Sequence, residues 1–249
     1  MSAPADADVS MPSPDLDPLF ASVTPIKYPA QDGHATGFYF RDANGNYFLI
    51  TNNHVVATDE GSPIADSIRV LTRPSPDIGD VEFREVSLEA GGDPTWIQHP
   101  RGSMIDVVAV PLEFDIGPMT TTALDSGLFP PAEGRMPTTQ RAMIVGYPML
   151  ERTPYRPVRR DAMISSLYGT TYRGLPCFKT DADMHSGTSG SPVFALPSAA
   201  AQRDEILGED LYLIGVHSAT LFSDHPPREG SLDLNIAWYI QLLEDMLVL

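Results

Sequence analysis

Short β-forming runs, separated by proline and glycine, are the feature that most restricts how this chain can fold. The 249 residues include 24 prolines and 19 glycines, which is typical of a chain with many turns and short strands and few long helices. Short strands bounded by such turns predict an all-β fold built from barrels. The predicted strands cover residues 36–40, 47–51, 67–72, 81–88, 105–112, 141–148, 161–168, 175–180, 191–196 and 211–218.

The length and composition of the chain allow a packed core and restrict its partners. Hydrophobic residues make up 42% of the sequence and charged residues 20%, so we expect either one large all-β domain or two small barrels that share a cleft. The net charge of -17 argues against a nucleic-acid partner, because phosphate binding requires patches of lysine and arginine.

The cysteine content and the hydropathy of the chain bear on its compartment. Cys177 is the only cysteine, so no intrachain disulfide can form, which favours a reducing compartment. Residues 1–8 contain neither the basic nor the apolar region of a signal peptide. No apolar run reaches the length of about 18 residues that a membrane span requires. We therefore expect a soluble, cytoplasmic protein without a membrane partner.

The composition divides the chain into four parts. Residues 1–21 are rich in Ala, Pro, Ser and Asp and are predicted to form a flexible acidic tail. Residues 22–118 and 138–249 are predicted to form two β-rich halves, and residues 119–137 have the composition of a connection between them. Apolar residues at helical spacing predict a C-terminal helix packed on the second half: Ile240, Leu243, Met246 and Leu247.

A loop of small residues carries the first chemical signal. Residues 187–191, which we call the serine loop, contain Ser189 among glycines that allow the backbone to turn tightly. A serine hydroxyl attacks a carbonyl only if a base removes its proton and if hydrogen-bond donors stabilise the oxyanion. The N–H groups of Gly187 and Ser189 can point at one spot, as such an oxyanion hole requires. The alternative interpretation is an ordinary surface turn rich in glycine and serine.

His54 directly follows a predicted hairpin. Two β-rich runs, 36–40 and 47–51, flank the dipeptide Asn44-Gly45, which is a strong predictor of a hairpin turn. A histidine just beyond the end of a buried strand is held by a rigid scaffold and can face a cleft, where a general base is needed. The alternative is a polar histidine at a strand end without a chemical role.

Asp106 lies near the start of the apolar run 105–112. A carboxylate next to a fully apolar strand is costly to bury unless it has a partner, and a histidine N–H is a natural partner. Asp106 is therefore the candidate third member of a group with His54 and Ser189. The alternative is an aspartate at a strand edge that faces water.

Taken together, these stretches resemble those of the trypsin-like (chymotrypsin-fold) serine peptidases, and the sequence is most similar to bacterial members without disulfides, such as the Deg-type (HtrA) proteases and the glutamyl endopeptidases. The chain order His54, Asp106, Ser189 is the order that this family uses, whereas other triad folds use different orders. The resemblance covers residues 22–249 and implies two six-stranded antiparallel Greek-key barrels with the active site in the cleft between them. The motifs that carry it lie at residues 36–38, 49–56, 106–110, 180–182, 187–193 and 213–219.

The resemblance implies a serine endopeptidase that acts on protein or peptide substrates without a metal or another cofactor. In such a site His54 takes the proton of Ser189, and Asp106 orients the imidazole and stabilises its charged form. The N–H groups of Gly187 and Ser189 form the oxyanion hole. Thr188 departs from the pattern of digestive members, in which an aspartate here pairs with the new N-terminus after activation. We therefore expect control by another route, such as an activating or inhibiting protein partner.

Two residues bear on the S1 pocket and imply different substrates. Asp183 lies six positions before Ser189, where trypsin has the acid that binds lysine or arginine. His217 lies on the strand similar to the S1 wall, where glutamyl endopeptidases have a histidine that recognises an acidic side chain. Asp183 can also face solvent or pair with His217, so basic, acidic and small or apolar P1 residues all stay open.

The remaining histidines and the cysteine are expected to have no catalytic role. Cys177 lies within a predicted strand and is interpreted as a small core residue. The competing class of function is a protease-fold module that is latent or inactive and binds partners. The histidines expected on the surface or in loops are His34, His99, His185 and His225, of which His185 lies on the S1 loop.

Overall fold

The structure is a computed structural model that describes most of the chain. The predicted tail lies outside the described residues up to residue 16. Its last residues form a short helix, α1 (Pro18–Ala21), at which the carboxylate of Asp17 accepts a hydrogen bond from the N–H of Leu19 at 2.8 Å. The described residues are 17–30, 33–77, 79–131, 140–148, 155–195, 211–223 and 230–249.

Strands make up most of the regular structure in these residues. In chain order they are β1 (Val23–Lys27), β2 (His34–Arg41), β3 (Tyr47–Thr51), β4 (Ser67–Thr72), β5 (Glu82–Ser87), β6 (Glu89–Ala90), β7 (Asp93–Pro94), β8 (Ile97–Gln98), β9 (Val108–Pro111), β10 (Arg141–Gly146), β11 (Val158–Met163), β12 (Cys177–Thr180), β13 (Pro192–Ala195), β14 (Tyr212–Ser223) and β15 (Gly230–Tyr239).

The strands form two large antiparallel sheets and one small hairpin. The first sheet has the strand order β5-β4-β1-β2-β3-β9-β8, and the second has the order β11-β10-β13-β14-β15-β12. The small hairpin consists of β6 and β7. The predicted all-β fold with two antiparallel halves is confirmed. The first sheet has seven strands among the described residues, where the family resemblance implied six.

The hairpin that precedes His54 forms as the sequence predicts. β2 and β3 pair in antiparallel register. Gly45 in the turn has a φ of +87°, which glycine adopts without strain. Asp42 accepts hydrogen bonds from the backbone N–H of Asn46 at 2.7 Å and from its side-chain amide at 2.9 Å. β3 then leads into a one-turn helix, α2 (Asn53–Val56), which contains His54.

The end of the chain differs in part from the sequence prediction. The predicted C-terminal helix is present, but it is a short 3₁₀ helix, Ile240–Asp245, because the residues before it continue β15 through Tyr239. β15 is absent from the sequence prediction. Residues 231–236 alternate polar and apolar side chains, and this pattern is the signal that identifies the strand.

One hydrophobic cluster joins the two sheets, and each sheet also has a cluster of its own. Because the shared cluster removes apolar surface of both sheets from water at once, it holds them against each other. The loops that carry the predicted site residues lie at this junction. The shared cluster includes Phe38, Phe40 and Ile50 of the first sheet, Met143, Val145, Phe194 and Leu213 of the second sheet, and Ile240 and Leu243 of the 3₁₀ helix.

Candidate active site

Asp106 holds His54 at two points. One carboxylate oxygen accepts a hydrogen bond from the backbone N–H of His54 at 3.0 Å, and the other lies 2.8 Å from His54 Nδ1. The two residues meet because β3 and β9 are paired, and both residues lie just beyond the same end of that pair. The side-chain amide of Asn52 donates to the Asp106 carbonyl at 2.6 Å. A carboxylate at Nδ1 favours the tautomer with its proton there, which leaves Nε2 to act as a base.

The carboxylate also determines the basicity of His54. Burial lowers the pKa of His54, but the hydrogen bond and the negative charge of Asp106 raise it by more, so that it lies above the ordinary value of 6.5. The His54 side chain remains 50% exposed, so a substrate can reach it. The pair can therefore accept a proton at Nε2 and stabilise the resulting charge.

Ser218 links Asp106 to Ser189. It lies in β14, at an irregularity of the pairing with β15 between His217 and Ala219. Its hydroxyl donates to Asp106 Oδ2 at 2.6 Å, and its carbonyl accepts a hydrogen bond from Ser189 Oγ at 3.0 Å. Within the described residues, the Ser189 hydroxyl makes no hydrogen bond to His54. The structure thus places His54 and Asp106 in direct contact and connects Ser189 to them through Ser218, which sequence reasoning did not single out.

Two backbone N–H groups of the serine loop make no hydrogen bond within the described residues. The N–H groups of Gly187 and Ser189 have no acceptor in the part of the chain that the structure describes. Gly187 has a φ of +92°, a left-handed conformation that favours glycine. Two free N–H groups on either side of one residue can bind an oxyanion. The N–H groups of the loop that are bonded to carbonyls belong to Thr188, Gly190 and Ser191.

The hydroxyl of Thr188 is hydrogen-bonded within its own turn. Its side chain is buried, and its hydroxyl donates to the carbonyl of His185 at 2.7 Å. A neutral hydroxyl engaged in this way offers no charge to an N-terminal amine. Activation by a route other than an N-terminal ion pair stays a prediction.

The structure separates the two predicted specificity residues. Asp183 is exposed, whereas only 2% of His217 is exposed. Among the described residues no ion pair joins them. Burial and the charge of His54 lower the pKa of His217 to about 4, so its ring is neutral at pH 7. The Nδ1 atom of His217 is buried, and no group in the described ranges forms a hydrogen bond with it.

Two other histidines have more contacts than their sequence suggests. His34 lies in β2, and its Nε2 is 3.0 Å from the carbonyl oxygen of Tyr147. His99 is buried and not on the surface: its Nε2 lies 3.1 Å from Asp245 Oδ2, and its Nδ1 accepts the N–H of Arg101 at 3.1 Å. Both contacts span more than 100 residues of sequence, so no local pattern predicts them. His185 is exposed, and His225 lies outside the described residues.

The remaining chemical groups of the described residues do not form a second centre. Cys177 is buried in β12, and burial raises the pKa of its thiol, so the prediction of a core residue is confirmed. No group of three or more acidic, histidine or cysteine side chains in the described part of the chain is placed to hold a metal ion. No helix of that part is long and apolar enough to cross a lipid bilayer.

Two antiparallel sheets with a His–Asp pair and a serine loop at their junction define the trypsin-like class of fold. The family model of the trypsin-like peptidase domain matches residues 35–199, and the chain belongs to this family. No protein of curated function matches the sequence significantly.

Two solved structures resemble this fold. A crystal structure of Deg5 has a TM-score of 0.54 and 19% identity, over 90% of this chain and 86% of that chain. The inactive form of the Rv3671c protease has a TM-score of 0.51 and 18% identity, over 92% of this chain and 88% of that chain. At these identities the likeness concerns the fold.

Proposed function

We propose that the protein is a serine endopeptidase that cleaves peptide bonds through an acyl-enzyme. The observation that carries this proposal is the His54 imidazole, which Asp106 holds at its backbone N–H and at Nδ1. Ser218 forms hydrogen bonds with both Ser189 and Asp106, and the N–H groups of Gly187 and Ser189 have no acceptor among the described residues. The family to which the chain belongs supports the same activity.

The first half of the reaction forms the acyl-enzyme. The Ser189 hydroxyl turns from the carbonyl of Ser218 towards His54, which takes its proton as Oγ attacks the scissile carbonyl carbon. The negative charge that develops on the carbonyl oxygen is stabilised by the N–H groups of Gly187 and Ser189. His54 then gives the proton to the leaving amine, the C–N bond breaks, and the acyl group stays on Ser189.

The second half of the reaction regenerates the serine. A water molecule gives one proton to His54 while its oxygen attacks the acyl carbon, and the same N–H groups hold the new oxyanion. The bond to Ser189 Oγ breaks, and Oγ recovers its proton from His54. Asp106 stays ionised in both halves and stabilises the imidazolium.

The contrast between His217 and Asp183 bears on the side chain that is accepted at P1. His217 Nδ1 has no hydrogen-bond partner among the described residues, so a substrate carboxylate that displaces the atoms covering the ring would gain a hydrogen bond there. Asp183 is exposed, and it is the group that would favour lysine or arginine. We propose an acidic P1 residue first and a basic one second.

The second candidate function is a latent or inactive protease-fold module that binds a partner. The bond from Ser189 Oγ to the Ser218 carbonyl favours it, because in this arrangement the hydroxyl is not activated by His54. The partner would be a protein that reorients the serine loop. Together with Thr188, this arrangement supports a protease that is regulated by a route other than cleavage of its N-terminus.

A fluorophosphonate probe distinguishes the two functions, because it labels only an activated serine. We expect the wild type and Ser191→Ala to be labelled and Ser189→Ala not to be labelled. Ser191 is the matched control, since it is a buried serine of the same loop whose hydroxyl has no partner among the described residues. A folded wild type that is not labelled would support the latent module.

A peptide library that varies only the P1 residue tests the specificity. We expect cleavage after glutamate to fall in His217→Ala while the residual rates on other substrates change little. If lysine and arginine substrates are cut equally well by the wild type and by Asp183→Ala, then Asp183 does not determine specificity. Preferred cleavage after lysine that is lost in Asp183→Ala would contradict the proposal of an acidic P1 residue.

A further inference from the structure

Thr36 lies where the first sheet touches the serine loop of the second sheet. It belongs to β2 and is fully buried. Its backbone N–H donates to the carbonyl of Ser189 at 2.9 Å, and its hydroxyl donates to the carbonyl of Gly187 at 2.8 Å. These carbonyls belong to Gly187 and Ser189, the two residues whose own N–H groups have no acceptor among the described residues. One residue of the first sheet thus binds both donor residues of the second.

The direction of the Thr36 hydroxyl is determined by a third contact. Thr36 Oγ1 accepts a hydrogen bond from the N–H of Tyr147 at 3.0 Å. Because that N–H occupies one lone pair, the hydroxyl proton points to the carbonyl of Gly187. The carbonyl of Tyr147 lies 3.0 Å from His34 Nε2, so the residue that orients the hydroxyl is itself held.

Gly187 needs this support more than other residues do. It has a φ of +92° and, without a side chain, it rotates more freely than any other residue type. Replacing its hydrogen by a methyl group would cause overlap with His34 Nε2, so a side chain cannot supply the missing rigidity. The N–H of Gly187 belongs to the peptide that precedes this residue. The bond from Thr36 to the Gly187 carbonyl therefore fixes the neighbouring peptide and leaves only φ and ψ of Gly187 to turn the N–H away from the oxyanion.

We infer that Thr36 is a positioning residue for the oxyanion hole and that its hydroxyl anchors Gly187, the residue whose N–H is a donor of that hole. This inference rests on the proposed function, because it assigns a role in that reaction. An oxyanion donor stabilises the transition state more than the bound substrate, so its misplacement lowers kcat and leaves KM nearly unchanged. The same residue makes the donor geometry depend on the contact between the two sheets.

Substitutions that differ in the hydroxyl alone test the inference. Thr36→Val keeps the shape and removes the hydroxyl, whereas Thr36→Ser keeps the hydroxyl. We expect kcat of Thr36→Val to fall about 100-fold, as for the loss of an oxyanion donor, with KM within about threefold of the wild type. Thr36→Ser should restore kcat to within about fivefold of the wild type. The inhibition constant of a peptidyl trifluoromethyl ketone, which forms an oxyanion on Ser189, should rise in proportion to the loss of kcat/KM.

Thr24→Val is the matched control. Thr24 is also buried, its hydroxyl donates to the carbonyl of Pro25 at 3.1 Å, and it accepts the N–H of Leu71 at 2.7 Å, away from the serine loop. Thr24→Val should lower the free energy of unfolding as Thr36→Val does, but its kcat should equal that of the wild type. Equal losses of kcat in the two variants, or an unchanged kcat in Thr36→Val, would overturn the inference.

A crystal structure of Thr36→Val separates this inference from the proposed function. If the wild type neither reacts with the probe nor cleaves peptides, the proposed function fails, but the loop geometry can still be compared. The Ser186–Gly187 peptide carries the N–H of Gly187, and a rotated or doubly oriented Ser186–Gly187 peptide in the variant supports the role of Thr36. If this peptide keeps its wild-type orientation in the variant, the inference is overturned. Thr36→Ala, which also lacks the hydroxyl, replaces Thr36→Val if the latter does not fold.

Discussion

At the scale of single residues, Asp106 combines orientation and charge in one side chain. Its carboxylate accepts hydrogen bonds from two groups of His54 and from the Ser218 hydroxyl. The contact to the backbone N–H of His54 fixes the start of the side chain, and the contact to Nδ1 fixes its end. The proposed base therefore has little freedom to leave its position beside Asp106.

We predict that Asp106→Asn lowers kcat by about 10⁴-fold, because an amide favours the wrong tautomer of His54 and cannot stabilise its charged form. The reaction requires neutral His54, so activity is lost as the pH falls through the pKa of that residue. In the wild type Asp106 raises this pKa above 6.5, and in the variant burial alone would lower it. The acid limb of kcat/KM should therefore move to lower pH.

The second histidine–aspartate pair provides the control for this prediction. Asp245→Asn removes the charge next to His99, at a distance of 3.1 Å, without touching His54. Its pH profile should match that of the wild type. An unchanged acid limb in Asp106→Asn would mean that Asp106 does not determine the basicity of His54.

At the scale of elements, the serine loop depends on a close approach between the sheets. Gly190 has a φ of +88°, and a methyl group there would overlap with the carbonyl oxygen of Thr36 and with Thr51 Oγ1. Two strands of the first sheet therefore pack directly against the backbone of the loop. The glycine is needed for space as well as for conformation.

We predict that Gly190→Ala destabilises the protein by roughly 3–5 kcal/mol, because overpacking adds to the cost of the left-handed conformation. Gly169→Ala is the comparison, since Gly169 has a φ of +85° and nothing lies within 4 Å of its added methyl group. That variant should lose only about 1–2 kcal/mol. Urea unfolding measures both values, and equal losses would show that the contact with Thr36 costs nothing.

Elements were predictable from the sequence where their signals are local. The hairpin before His54 depends on the turn at Asn44-Gly45, and β4 has the predicted bounds, because both patterns lie within a few neighbouring residues. β15 was missed, and the C-terminal helix is shorter than predicted. Apolar spacing in 237–248 fits a helix, but the pairing of β15 with β14 and β12 extends the strand through Tyr239. Tertiary pairing thus outweighed local preference.

At the scale of the whole molecule, the shared hydrophobic cluster makes the two sheets interdependent. Residues of β2 and β3 pack with residues of β10, β13 and β14 and with the C-terminal 3₁₀ helix. The backbone N–H of Ala43, in the hairpin turn of the first sheet, donates to the carbonyl of Val248 at 2.9 Å. The end of the chain therefore returns to the first sheet and contributes to the same core.

We predict that the two sheets unfold together. The chain has two tryptophans, Trp96 in the cluster of the first sheet and Trp238 in β15, and both are buried. In Trp238→Phe the remaining Trp96 gives the fluorescence and reports on the first sheet. In Trp96→Phe the remaining Trp238 reports on the second sheet. After correction for the stability of each variant, the two urea midpoints should coincide, as two-state unfolding requires.

Leu243→Ala strengthens this test, because Leu243 belongs to the shared cluster. It should lower both midpoints together, at a cost of about 3 kcal/mol. If only the Trp238 signal shifts, the second sheet unfolds independently of the first.

The all-β class, the local turns and the candidate residues His54, Asp106 and Ser189 could all be predicted from the sequence. These features depend on periodicity, on turn dipeptides and on residue types in a particular chain order, and the sequence alone contains all three. The contacts of Ser218 with Ser189 and Asp106, and those of Thr36 with the serine loop, depend on how the chain folds and could not be predicted in this way. Threonine and serine are common in strands, and a hydroxyl acquires its role only when folding brings an acceptor oxygen, here the Gly187 carbonyl or the Asp106 carboxylate, from more than 100 residues away within hydrogen-bond distance.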